Sequence, residues 1–98
     1  MRDQFRKAGF IQARRGQQFS GEQGNPDVIV PELPSLHFEG KFTQRCNLYD
    51  WMAQAINDAY KTDTMPIVCH RRNGEEWLAI LHLEDFLTLV KETDRVKL

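Results

Sequence analysis

Three side chains stand out for the chemistry they could do together. Asp27 heads the short apolar run Val28-Ile29-Val30, and one residue separates Glu39 from Lys41 in His37-Phe38-Glu39-Gly40-Lys41-Phe42. Alternate side chains of a strand share a face. Glu39 and Lys41 are therefore expected to project together, with Phe38, Gly40 and Phe42 on the opposite side. Asp27, at the head of the neighbouring strand, is expected to reach the same edge. Two carboxylates and an ammonium at one end of a sheet can hold a hard divalent cation with a phosphate beside it. Each also has an ordinary explanation when taken singly: Asp27 as a turn acid, and Glu39 and Lys41 as paired charges on a solvated strand.

Placing these groups requires a sheet, and the chain reads as one. A short helix is expected over roughly residues 2–8, stopped by Gly9. Phe10-Ile11-Gln12-Ala13-Arg14 reads as a first strand, and residues 16–25 as a polar, glycine-bearing loop. The strands that open at Asp27 and His37 are separated by Pro31-Glu32-Leu33-Pro34-Ser35, whose prolines enforce a turn. Leu48, Trp51, Met52, Ala55, Ile56, Ala59 and Tyr60 repeat at helical spacing behind Asn47, a suitable N-cap. Pro66 to His70 is a fourth strand, Asn73-Gly74 a hairpin turn and Trp77 to Leu81 a fifth strand. Leu83, Phe86, Leu87 and Val90 mark a last helix. Trp51, Trp77, Phe86 and Leu87 are assigned to the core. The order α-β-β-β-α-β-β-α implies an α/β fold with a central mixed sheet flanked by helices.

Composition limits the partners. The 98 residues suit one small domain, with 41% hydrophobic and 28% charged residues, as in a soluble globular protein. No apolar run approaches the roughly 20 residues that span a bilayer, and no apolar signal-peptide core follows Met1, so a cytoplasmic protein without membrane partners is expected. Cys46 and Cys69 form no Cys-x-x-Cys pair and read as free thiols. With His37 and His70 they lack any usual zinc spacing. The net charge of −1 excludes coating of nucleic acid by bulk attraction, but the charge is unevenly spread. Residues 1–20 carry Arg2, Arg6, Lys7, Arg14 and Arg15 against Asp3 alone, His70-Arg71-Arg72 is a second basic spot, and residues 75–98 are acidic overall. That polarity suits a domain presenting one face to a polyanion.

These residues also resemble a known family. Asp27, followed one strand later by Glu39-Gly40-Lys41, resembles the signature of the PD-(D/E)XK nuclease superfamily, and Pro26-Asp27 supplies its first two letters. The flanking segments resemble phage and prophage Holliday junction resolvase-like proteins. These are Arg14-Arg15-Gly16-Gln17-Gln18-Phe19-Ser20-Gly21, Asn47-Leu48-Tyr49-Asp50-Trp51-Met52-Ala53-Gln54-Ala55, and the run from Pro66 to Leu78. The likeness extends from about Phe5 to Val90 in one uninterrupted order.

The resemblance implies a restriction-endonuclease-like core and metal-dependent DNA endonuclease activity at branched DNA such as Holliday junctions. It implies Mg2+ or Mn2+ held by Asp27, Glu39 and the Gly40 carbonyl, with Lys41 beside the scissile phosphate. It places Gln54 facing the site, although a solvent-exposed helix glutamine is the ordinary alternative. Arg14, Arg15 and Gln17 become candidate phosphate contacts, with Arg71 and Arg72 as a second set. His37 shares the strand face of Glu39, which would bring it near the metal, although a surface histidine is the ordinary alternative. A homodimer is implied by paired cuts, as is a phage or prophage origin within a bacterial host cell.

Two departures qualify the likeness. The family carries a further Glu on its N-terminal helix, where this chain has only Asp3. The recorded start then lies downstream of the true one, or three residues suffice, or activity has been lost. Gly40 also stands where a cysteine or other side chain is usual. Two rivals follow: a nuclease for nicks, flaps or forks, and a catalytically inactive DNA-binding or scaffold module of the same fold.

Overall fold

A computed structural model describes residues 1–16 and 27–93. Its elements are α1 (Arg2–Lys7), β1 (Arg14–Arg15), β2 (Val28–Ile29), β3 (Leu36–Phe42), α2 (Leu48–Tyr60), β4 (Met65–Arg71), β5 (Leu78–Ile80) and α3 (Leu83–Lys91). The strands lie in the order β1-β2-β3-β4-β5. Only β3 and β4 run parallel, and the other neighbours are antiparallel. A parallel pair needs a crossover connection, and α2 supplies it. The result is the α/β order expected from the sequence, with a five-stranded mixed sheet consistent with a restriction-endonuclease-like core.

Strand alternation sorts the two layers. Phe38 joins Ala13, Val28, Val30, Ile67 and Cys69 in one buried cluster, closed by Met1, Phe5 and Trp77 from the α1 side. The Phe5 and Phe38 rings meet edge to face at 4.7 Å. On the other face, Met52 and Ala55 of α2 cover Val68, with Trp51 and Ile80 packed around them. Residues paired in register present their side chains to the same face, and Glu39 pairs with Val68 while Lys41 pairs with His70. The odd-numbered residues of β3 therefore look toward α2, and the even-numbered ones toward α1. No helix among the described residues is long and apolar enough to cross a membrane.

Four local expectations need correction. The first strand is not residues 10–14 but Arg14–Arg15. Gly9, at φ 110°, turns the chain out of α1, and the Phe10 and Ala13 amides close turns on the Phe5 and Phe10 carbonyls. Asn47 occupies the N-cap position of α2 as expected, but its side chain does not cap the helix; its amide instead donates to Asp50 Oδ2 at 2.8 Å. Phe86 and Leu87 are each 48% exposed, because no residue of α3 is buried against the body. His37 is no surface residue: it is 2% exposed, beneath the α2 face of the sheet. Trp51 and Trp77 are half-buried against the two clusters, as core assignment requires.

Candidate active site

Asp27 sits where β2 begins. Its amide donates to the Phe38 carbonyl at 2.9 Å, and its own carbonyl accepts from the Gly16 amide at 2.9 Å. Its side chain continues this edge: Oδ2 accepts from the Gly40 amide at 2.7 Å. Main-chain groups of a strand point alternately to its two neighbours. Phe38 turns its carbonyl toward β2, and Gly40, two residues on, turns its peptide groups the same way. The Gly40 carbonyl therefore faces the edge that Asp27 occupies. The cost of a side chain at Gly40 is local. An added Cβ would lie 2.9 Å from Cε and 3.3 Å from Sδ of Met1, the movable end of a flexible side chain.

Glu39 lies on the α2 face, its side chain 12% exposed, with Oε1 2.7 Å from His37 Nε2. Burial pushes its carboxyl above the usual range. The hydrogen bond from His37 opposes that rise, whereas Asp27 adds to it through its charge and a side-chain hydrogen bond. The two carboxyls thus meet where β2 begins, beside β3. Lys41, half-buried on the same face as Glu39, donates from Nζ to Gln54 Oε1 of α2 at 3.4 Å. Of the expected site residues, Asp27 converges with Glu39 and Gly40, and Lys41 with Gln54.

A hard divalent ion takes oxygen donors. Among the described residues no three His, Cys, Asp or Glu side chains gather as a metal cluster. What converges is the Asp27 carboxyl, whose charge makes Glu39 harder to ionise, and the Glu39 carboxyl itself, plus the Gly40 main-chain carbonyl beside them. A cation would relieve that repulsion. Mg2+ takes one or two carboxylates, keeps several waters and binds substrate phosphate, so these residues fit it.

A cavity of about 520 Å³ opens beside this edge, bordered by Asp27, Gly40, Arg15, Gly16, Arg2 and Asp3. Asp3, the acid of α1, thus borders the same space as Asp27, and pairs at 3.6 Å with Arg2. Arg14 and Arg15 are exposed on the edge strand, and Arg15 borders the cavity. Gln17 lies outside the described residues. Arg71 and Arg72 border a separate cavity of about 250 Å³ with Cys46, His70 and Glu75. Arg71 donates to the Glu75 carbonyl at 2.7 Å and lies over the Phe42 ring at 5.8 Å, while Arg72 pairs with Glu75 at 3.8 Å. Glu75 therefore competes with any phosphate for both arginines.

The sequence reading passed over the bond from His37 to Glu39. Its signal was available: residues two apart on a strand share a face, and His-x-Glu pairs a donor with an acceptor.

Comparison with known families finds a match over residues 14–97 to the family described as "Phage putative PDDEXK endonuclease". The matched range spans most of the chain and contains Asp27, Glu39, Gly40, Lys41 and Gln54. No curated protein and no solved structure matches the chain.

Proposed function

The chain belongs to the phage PDDEXK endonuclease family, and from that membership we propose that it is a metal-dependent endodeoxyribonuclease that hydrolyses phosphodiester bonds in branched DNA such as Holliday junctions. The observation that carries the reading is the meeting of Asp27, Glu39 and the Gly40 peptide between β2 and β3, with Asp27 and Gly40 bordering the same cavity as Arg15.

Asp27, Glu39 and the Gly40 carbonyl would hold Mg2+ or Mn2+. Such an ion, when bound, activates water and offsets charge developing on the scissile phosphate. Lys41 keeps an ammonium at the same end of β3, where it steadies the attacking water or the charge gathering on phosphate oxygens. Gln54 restrains the Lys41 side chain through its 3.4 Å contact, and so acts by position. Arg14, Arg15 and Gln17 seat the DNA backbone, with Arg71 and Arg72 as a second phosphate contact. One domain carries the whole site, within the cytoplasm of a bacterial host.

Paired cuts at a four-way junction call for a homodimer. The uncovered apolar face of α3 supports a second copy as the partner: Leu83 is 70% exposed, and Phe86 and Leu87 are each 48% exposed.

The test incubates purified protein with labelled four-way junction, flap, nicked and linear duplex, with Mg2+ or with EDTA. Junction cleavage that needs the metal and disappears in Lys41→Ala is the expected result. Cutting confined to flaps or nicks moves the substrate assignment. Junction binding without cutting favours the inactive DNA-binding module, a rival kept in view because α1 offers Asp3 as its only acid. Cleavage indifferent to EDTA overturns the proposal.

A further inference from the structure

We propose that His37 is a positioning residue for Glu39, holding one oxygen of that carboxylate so that the group presents a fixed donor to the cation. This rests on the reading of Glu39 as a metal ligand. His37 is 2% exposed, it shares the α2-facing side of β3 with Glu39, and Nε2 stands 2.7 Å from Oε1.

A buried imidazole must find a hydrogen-bond partner. An ionised carboxylate only accepts hydrogen bonds. The bond to ionised Glu39 therefore requires the proton on Nε2, which selects the ring tautomer. The Glu39 side chain has several rotatable bonds; its hydrogen bond with Asp27 restrains it on one side, and the bond from His37 is what fixes Oε1. That bond leaves the second oxygen uncommitted to the imidazole. Histidine in this role sits behind the ligand, not on the metal. Its ring lies two residues back along the strand and is buried on the α2-facing side, while Asp27 and Gly40 meet between β2 and β3. Hydrogen-bond partners of metal-binding carboxylates act this way in general, and losing one weakens metal affinity by about 10- to 100-fold.

The experiment measures Mn2+ affinity of the full chain, by electron paramagnetic resonance of free Mn2+, for wild type, His37→Leu, His37→Gln and Glu39→Gln, with circular dichroism on each. His37→Leu, folded, should bind Mn2+ about 10- to 100-fold more weakly. His37→Gln offers an amide N–H to Oε1 and should recover much of that loss. In single-turnover cleavage, the rate should follow the same order while DNA affinity stays at the wild-type level. A merely structural histidine would not produce recovery that tracks the donor. Folded His37→Leu with wild-type Mn2+ affinity overturns the inference; if Glu39→Gln still binds more weakly, the reading of Glu39 stands. Wild-type affinity in Glu39→Gln removes the ligand role, and the inference with it. Should His37→Leu fail to fold, the wild-type protein decides through the 15N shifts of His37. The Nε2–H tautomer is expected, and Nδ1–H overturns the inference.

Discussion

The Gly40 amide donates to Oδ2 of Asp27 at 2.7 Å, across 13 residues of chain. The bond fixes an acid from one strand to the very residue that separates Glu39 from Lys41 in the next. Neither carboxyl can drift without moving the other's frame, because the peptide that carries Glu39 forward is the peptide that Asp27 grips. Site geometry and sheet-edge stability are thereby coupled at a single contact.

That coupling separates two substitutions at Asp27. Asp27→Asn keeps an oxygen acceptor for the Gly40 amide and should change stability by less than about 1 kcal/mol, whereas Asp27→Ala leaves the amide without it and should cost about 1–2 kcal/mol. Both remove a charge from the proposed cation site and should slow cleavage by at least about 100-fold, the equivalent of about 2.7 kcal/mol or more of lost charge stabilisation. Urea titration and single-turnover cleavage check the two halves. Equal stability of Asn and Ala variants would remove the bond from the account.

Glu39 gives stability a pH dependence with a definite sign. Its carboxyl is raised above 4.5 in the folded protein, chiefly by burial. The folded state then binds the proton more tightly than the unfolded chain, and stability falls as pH rises from the ordinary value through the raised one. Glu39→Gln cannot ionise, so it should melt higher than wild type at about pH 8, with the gain shrinking toward about pH 4. A constant offset across that range would contradict the sign.

Lys41 and Gln54 should behave as one unit. The 3.4 Å contact lets Gln54 act through Lys41. Lys41→Ala is expected to slow cleavage by about 100-fold or more, and Gln54→Ala by about 10-fold. Residues acting through one another are non-additive, so the double variant should be no slower than Lys41→Ala alone. Multiplying losses in single-turnover rates would show that Gln54 acts independently.

The thiols are equally separable. Cys69 is buried, which pushes its thiol up to about 11, and Cys46 is exposed. The thiolate is the reactive form. A chromogenic disulfide reagent near neutral pH should titrate one thiol in the folded protein and both after urea. Rapid labelling of both thiols without denaturant would mean that the α1 face opens readily.

Much of this fold was legible because apolar periodicity reports which residues share a face. Leu48 to Tyr60 and Pro66 to His70 fell where expected within a residue or so. The spacing of Glu39 and Lys41 against Phe38 and Phe42 also foretold the two faces of β3. Periodicity does not report what lies opposite. Among the described residues β1 pairs with β2 at Arg14 and Arg15 only, and no alternation within residues 10–14 encodes that limit. His37 looked like a surface group because its spacing from Glu39 reports which face it takes, not what covers that face. Phe86 and Leu87 looked like core because an apolar stripe announces burial without naming its cover.

The cover of α3 is the last prediction. Leu83, Phe86, Leu87 and Val90 lie along one stripe, and no residue of the helix is buried. Glu84 and Lys91 are exposed and seven residues apart, which returns them to the same flank of that stripe. A two-fold axis that pairs two such helices antiparallel sets each flank against its own copy. Glu84 of one protomer then faces Lys91 of the other, twice, while the apolar stripes meet between them. A parallel pairing would lose this match. Sedimentation should give a dimer for the wild type and a monomer for Phe86→Glu, which places a charge in the centre of the seam. Exposed ion pairs contribute only about 0.2–1 kcal/mol each, so Glu84→Lys or Lys91→Glu alone should weaken the dimer by a few-fold at low salt. Combining them should restore the dimer by exchanging the charges. A wild-type monomer at high concentration, or a double variant no better than the singles, would rule out this antiparallel pairing.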